Sequence, residues 1–199
     1  MRLIPALLIL TSCATVPPSH VYHRQGLPLP TIDYFPVCRS YGCAKIDMES
    51  LSPTDKSNIK NIFKTNDNSD NEIQNIKKYI AFMEREIGAR TGTSKDVGGT
   101  YKRLGHMQQD CVDESTNTTT YLILADQLGV LKFHDVLALT SRPPILSGRL
   151  GPHRTAVIQN KNTGEKFAVD SWFHDNGVTP EVVPLDQWRW GWHPQNHNE

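Results

Sequence analysis

The stretch "SDNEIQNIKKYIAFMEREIG", residues 69–88, constrains this fold more than any other. Ile73, Ile76, Ile80, Met83 and Ile87 recur at three- and four-residue steps, which gathers them on one face of an α-helix. Ser69 and Glu72 have the spacing of a capping box, and Gly88 is a stop signal. Such a helix has to bury its apolar stripe against a second layer.

The flanking segments supply that layer. "LSPTDKSNIKNIFK" opens a shorter helix, with Ser52 as N-cap and Pro53 at the first helical position. "ARTGTSKDVGGTYKRLGH" reads as a glycine-rich loop without the GK[ST] of a phosphate loop. A further helix is expected from Asp110 or Cys111 to Leu128, with Gly129 as its stop. Its first half, "DESTNTTT", has poor helical propensity, so packing of Leu122, Ile123, Ala125 and Leu128 has to hold it. After Gly129 the period changes. "VLKFHDVLAL" reads as a strand, "TSRPPILSGRLGP" as a loop, and "HRTAVIQN" with "EKFAVDSWF" as a β-hairpin around "KNTG". "TPEVVPLDQW" is a last strand or extended segment, and "TIDYFPVC" a short edge strand. Helices first and strands later predict an α+β fold with an antiparallel sheet.

The first residues read differently. "MRLIPALLILTSC" has one Arg, an apolar run and then small residues before Cys13. This is the pattern of a secretory signal, too short for a transmembrane helix. "LTSC" resembles a bacterial lipobox, which implies cleavage before Cys13 and lipid on its sulfur. The expected organisation is a signal peptide over 1–12, a lipidated Cys13 with a flexible tether over 13–30, and one domain over 31–199. Residues 14–30 are rich in Pro and polar residues, the basis for the tether. The expected location is the bacterial cell envelope, lipid-anchored, at the outer membrane facing the periplasm. Membrane contact is expected through the anchor alone. Lys plus Arg equal Asp plus Glu at 21 each, so no basic footprint for nucleic acid is expected.

There are four cysteines. Cys38 and Cys43, in "CRSYGC", are spaced to bridge a small turn in an oxidising compartment, with free thiols as the alternative. Cys111 then has no partner and is a candidate reactive thiol. It stands in "MQQDCVDESTNT" at an expected helix start, where the macrodipole favours thiolate. Asp110, Asp113 and Glu114 oppose that, so a nearby imidazolium is required. His20 and His23 lie in the linker, His193 and His197 in the tail, and His106 too near in sequence. Of His134, His153 and His174, His153 opens the hairpin, with Asp170 near the end of the partner strand. A two- or four-residue loop puts them on one face as diagonal neighbours, roughly 7–8 Å apart along the backbone. A three-residue loop separates them.

A cysteine at a helix start, a histidine opening a strand and an aspartate on the next strand resemble the transglutaminase-like superfamily. The nearest likeness is to the bacterial transglutaminase-like cysteine proteinases, over roughly Gly88 to Trp188. That resemblance implies a papain-like/transglutaminase-like fold, with the catalytic cysteine's helix packed on an antiparallel sheet. It implies a Cys111–His153–Asp170 triad that hydrolyses or transfers an amide bond of an envelope protein or peptide. The enzyme would be a cysteine peptidase, an amidase or an acyltransferase. Cys111 would attack, His153 would carry the proton and Asp170 would orient the imidazole. The Cys111 backbone N–H and Gln108 or Gln109 would hold the oxyanion. The resemblance implies no required cofactor, and admits calcium at Asp110 and Asp113. The sequence departs from that group at "VDESTNT", where helix starts commonly carry an aromatic. The alternative expectations are a non-catalytic binding or structural envelope lipoprotein on the same fold, and a metal protein.

Overall fold

The computed structural model describes residues 16–100, 102, 104–143 and 152–194. The long helix of the isoleucine stripe, α3 (Ser69–Thr91), lies in the middle. Ahead of it come α1 (Ser19–Gln25), β1 (Phe35–Arg39), β2 (Lys45–Glu49) and α2 (Pro53–Ile62). After it come α4 (Cys111–Gln127), β3 (His134–Arg142), β4 (His153–Asn160), β5 (Lys166–Asp170), β6 (Glu181–Pro184) and a short α5 (Leu185–Arg189).

The strands form two antiparallel sheets. β1 and β2 pair alone, and the larger sheet runs β3-β4-β5-β6. The fold is therefore α+β, as expected, but the papain-like/transglutaminase-like architecture implied by resemblance is a correction. A separate hairpin, β1–β2, precedes α2 and α3, and its end is closed by a disulfide between Cys38 and Cys43.

The core follows from the stripe. Ile76, Tyr79, Ile80, Met83 and Ile87 of α3 are buried with Ile59 of α2 and with Tyr121, Leu122, Leu124 and Ala125 of α4. Ala156 and Ile158 of β4 and Val169 of β5 close it from the sheet. Each large aliphatic side chain buried this way contributes about 1.5–3 kcal/mol. Strand alternation sends Val157 and Ala168 to the opposite face, where Val183, Leu185 and Trp188 cover them. Both faces of the larger sheet are thus occupied.

Three elements differ from expectation for physical reasons. The segment read as a tether folds back in part. Tyr22 of α1 is fully buried and its hydroxyl meets Thr120 Oγ1 at 2.7 Å, while Ala138 N donates to Val16 O. Cys13 and the signal segment lie outside the described residues. The N-cap of α3 is Asn68, whose side chain accepts from Asn71 N, and the helix passes Gly88 to end at the left-handed Gly92. Glu72 serves a remote loop instead of a capping box. Its carboxylate accepts from the N–H groups of Lys132, Phe133 and His134 at 2.7–2.9 Å and from Asn66 Nδ2 at 2.6 Å. Burial pushes its pKa up, but these bonds and the His134 ring more than offset it and hold the carboxyl below its ordinary range. This knot turns the chain before β3, which starts at His134. The last segment becomes β6 followed by α5.

Candidate functional site

Cys13 aside, the residues the sequence singled out gather around the N-terminus of α4. Asp110 is the N-cap, its side chain accepting from Val112 N and Asp113 N, and Asp113 reaches back to Asp110 N. This reciprocal capping box satisfies the orphan donors of the first turn. The polar first half of the helix is buried, from Asp113 through Thr120. It is tolerated because its side chains are bonded: Thr116, Thr119 and Thr120 each donate to the carbonyl one turn earlier. Asn117 accepts from Cys38 N at 2.7 Å and donates to Cys38 O at 2.8 Å, which docks β1 onto the helix.

The loop after β1 is built around the same helix start. Ser40, Tyr41, Gly42 and Cys43 all have left-handed backbones, with φ from +58° to +70°. For the three non-glycine residues this costs roughly 1–2 kcal/mol each. Carboxylates supply the compensation. Asp113 accepts from Tyr41 N at 2.8 Å and Cys43 N at 2.6 Å, and Asp110 accepts from Gly42 N at 3.0 Å. Consecutive left-handed N–H groups make an anion nest, and here the anions are the protein's own. Burial, and then Asp110 beside it, push the Asp113 carboxyl up to about 7. Cys38 Sγ, Cys43 Sγ and one Asp113 oxygen all lie within 4.8 Å of one another.

The three residues of the expected triad are near neighbours of unequal condition. Cys111 is the first residue of α4. His153 and Asp170 open β4 and end β5, and the register Ala156↔Val169 puts them on one face. His153 Nε2 and Asp170 Oδ2 are 2.7 Å apart, and Trp188 Nε1 donates to the same oxygen at 2.7 Å. The imidazole is packed among Trp172, Phe173 and Trp188, with ring centroids 4.9–5.6 Å away. Its Nδ1 is buried and has no hydrogen-bond partner among the described residues. The thiol directs its proton elsewhere: Cys111 Sγ donates to the Pro152 carbonyl at 3.7 Å. Burial pushes the thiol up to about 11, with Asp110 and Asp170 adding to it against the Arg154 N–H and the Arg154 charge. At neutral pH this is a protonated thiol beside Trp172 and Phe173.

The other expected residues have other employment. Gln108 accepts from Val97 N and donates to Lys95 O. Gln109 Nε2 donates to Cys38 O at 3.0 Å. Both amides tie loops together. Asp110 and Asp113 are engaged by backbone N–H groups, and the donor set in metal reach contains two sulfurs. Calcium prefers six to eight oxygens.

One feature of this region had no warning in sequence. Glu84 of α3, Asp96 after α3 and Glu114 of α4 form a buried group of acids around Ser171. Ser171 Oγ donates to Glu114 Oε2 at 2.7 Å, and Gly177 N donates to Glu84 Oε2 at 2.9 Å. Burial raises all three, Glu84 to about 8 and Asp96 to about 6. Only the chain's tertiary path brings them together.

Two clefts of about 600 and 700 Å³ lie between the N-terminal segment and β3. Neither is lined by Cys111, His153 or Asp170. Among the described residues no helix is long and apolar enough to cross a membrane.

Compared with known proteins, the chain matches no family model, no curated protein and no solved structure. The thiol-dependent amide chemistry, and with it the peptidase, amidase or acyltransferase activity expected from resemblance, is corrected by the state of the cysteines. Two of the described cysteines are spent in a disulfide next to Asp113, and the third is a buried, protonated thiol.

Proposed function

We propose that this chain is a non-catalytic protein of the cell envelope, acting by binding or structural support and not by turnover. The observation that carries this reading is the state of Cys111. A nucleophilic cysteine needs a depressed pKa, and this one is raised by burial, its S–H donating to the Pro152 carbonyl. Two clefts between the N-terminal segment and β3 are not lined by the His153 cluster, which suits binding away from it. An oxidising compartment is supported by the Cys38–Cys43 disulfide, because such bonds persist mainly outside the cytosol. The leader pattern of residues 1–12 points the same way.

Alkylation rates test this directly. The unreduced chain is treated with iodoacetamide across about pH 5 to 9, and Cys111 labelling is followed by mass spectrometry. The expected result is slow labelling at neutral pH, unchanged in His153→Ala. Fast labelling well below the ordinary thiol range, abolished in His153→Ala, would show a thiolate–imidazolium pair and overturn the reading.

A further inference from the structure

The loop between β1 and β2 offers more than a structural crosslink. Its two sulfurs sit over a carboxylate, and hydrogen bonds independent of the disulfide hold them there. Asn117 fixes the Cys38 backbone on one side. Asp113 and Asp110 fix the N–H groups of Tyr41, Gly42 and Cys43 on the other. The Cα atoms of Cys38 and Cys43 are 4.5 Å apart. None of these contacts runs through the S–S bond itself.

We propose that reduction of Cys38–Cys43 converts this loop into a site for a thiophilic divalent cation of the zinc class, held by both cysteines and Asp113. The balance is simple. A dithiol reductant supplies two electrons and two protons. The S–S bond breaks, two thiols form, and the reductant leaves as its own disulfide. The cation then displaces the two thiol protons to solvent and bonds two thiolates and a carboxylate.

The chemistry fits that class. Zinc takes sulfur at about 2.3 Å and carboxylate oxygen at about 2.0–2.2 Å, tetrahedrally, so its ligand atoms lie about 3–4 Å apart. The three donor atoms here already lie within 4.8 Å. Small side-chain rotations after reduction bring the sulfurs to that spacing. Cys43 and Asp110 are half-buried, so the fourth position faces solvent and the site is open to exchange. A hard cation is disfavoured by the two sulfurs. In the oxidised chain the sulfurs are bonded to each other and cannot act as thiolates. Metal binding is thus gated by the redox state of one bond.

The inference goes beyond the function proposed above and is tested separately from it, since Cys111 takes no part. The full chain is reduced with a non-chelating phosphine and titrated with cobalt(II) alone. The expected result is a thiolate-to-cobalt charge-transfer band that saturates at one equivalent and is missing before reduction. It should persist in Cys13→Ser/Cys111→Ser, which leaves Cys38 and Cys43 as the only thiols, and vanish in Cys43→Ser. A band already present in the oxidised protein overturns the proposal. So does its persistence in Cys43→Ser, or its loss in Cys13→Ser/Cys111→Ser. A reduced chain that binds no cobalt overturns it, as does one whose far-ultraviolet circular dichroism shows unfolding, because the site needs α4 in place.

Discussion

Replacing Glu84 by Gln should make the pH dependence of this protein's stability shallower. Glu84 sits on α3 with one carboxyl oxygen on Gly177 N and the other without a partner among the described residues. Burial raises it to about 8; Asp96 adds to this, and the Gly177 N–H, Ser171 and Arg85 work against it. In the unfolded chain the same group titrates near its ordinary 4.5. The folded state therefore keeps a proton that the unfolded state releases. Stability from this group is full below about pH 4.5 and is lost as pH rises towards about 8. One proton is worth about 1.4 kcal/mol per pH unit, so stability falls by about 3 kcal/mol between about pH 5 and 7. Asp96, Asp113 and Glu114 shift in the same direction, so the wild-type slope is at least that of one proton. Asp55 and Glu72, held below their ordinary range, act only in more acid solution. Urea unfolding at several pH values measures the slope in both proteins. Glu84→Gln should remove about one proton's worth of it and gain stability on the alkaline side. A wild-type stability that rises from about pH 5 to 7, or a variant with an unchanged slope, would refute the reasoning.

Three further outcomes follow from the packing and the caps. Asp113→Ala removes the acceptor for three N–H groups, those of Tyr41, Cys43 and Asp110, and should cost about 2–3 kcal/mol in chemical denaturation. Ile80→Ala empties a fully buried position in the main core and should cost about 2–5 kcal/mol with an unchanged m-value. Reducing the Cys38–Cys43 bond opens only a short loop, so it should cost about 2 kcal/mol by loop entropy, read as a lower Tm in a chain that stays folded.

Local signals in the sequence were readable where the structure they specify is local. Ser52 accepts from Asp55 N and Pro53 opens α2, as their chemistry demands. Ile76, Ile80, Met83 and Ile87 of the α3 stripe lie in the core while Ile73 is half-buried outside it, and α4 runs from Cys111 to Gln127 before Gly129 turns left-handed. The failures share one cause, which is partnership at long range. Glu72 has the spacing of a capping-box residue, yet the free N–H groups of Lys132, Phe133 and His134 claim it from some sixty positions away. Proline content made residues 14–30 look extended, but Tyr22 and Leu27 find a buried place against the body. Gln108 and Gln109 had the look of donors facing a site, and backbone groups of Lys95, Val97 and Cys38 take them instead. No periodicity encodes such pairings.

The acids around Cys111 carry the same lesson into function. In sequence, "DCVDE" surrounds a thiol with charges that oppose its ionisation. In the structure each acid accepts hydrogen bonds from groups other than the thiol. Asp110 caps α4 and holds Gly42, Asp113 holds Tyr41 and Cys43, and Glu114 accepts from Ser171. One helix start thus staples the β1–β2 hairpin, the end of β5 and its own first turn. Cys111 fills the apolar gap left between them, against Trp172 and Phe173. Asp110 and Asp113 position a loop whose two sulfurs lie over Asp113, and Asp110 only raises the thiol further. Chemistry at this end of the molecule is therefore to be sought at Cys38 and Cys43, whose loop Asp110 and Asp113 hold, and not at the cysteine these acids flank.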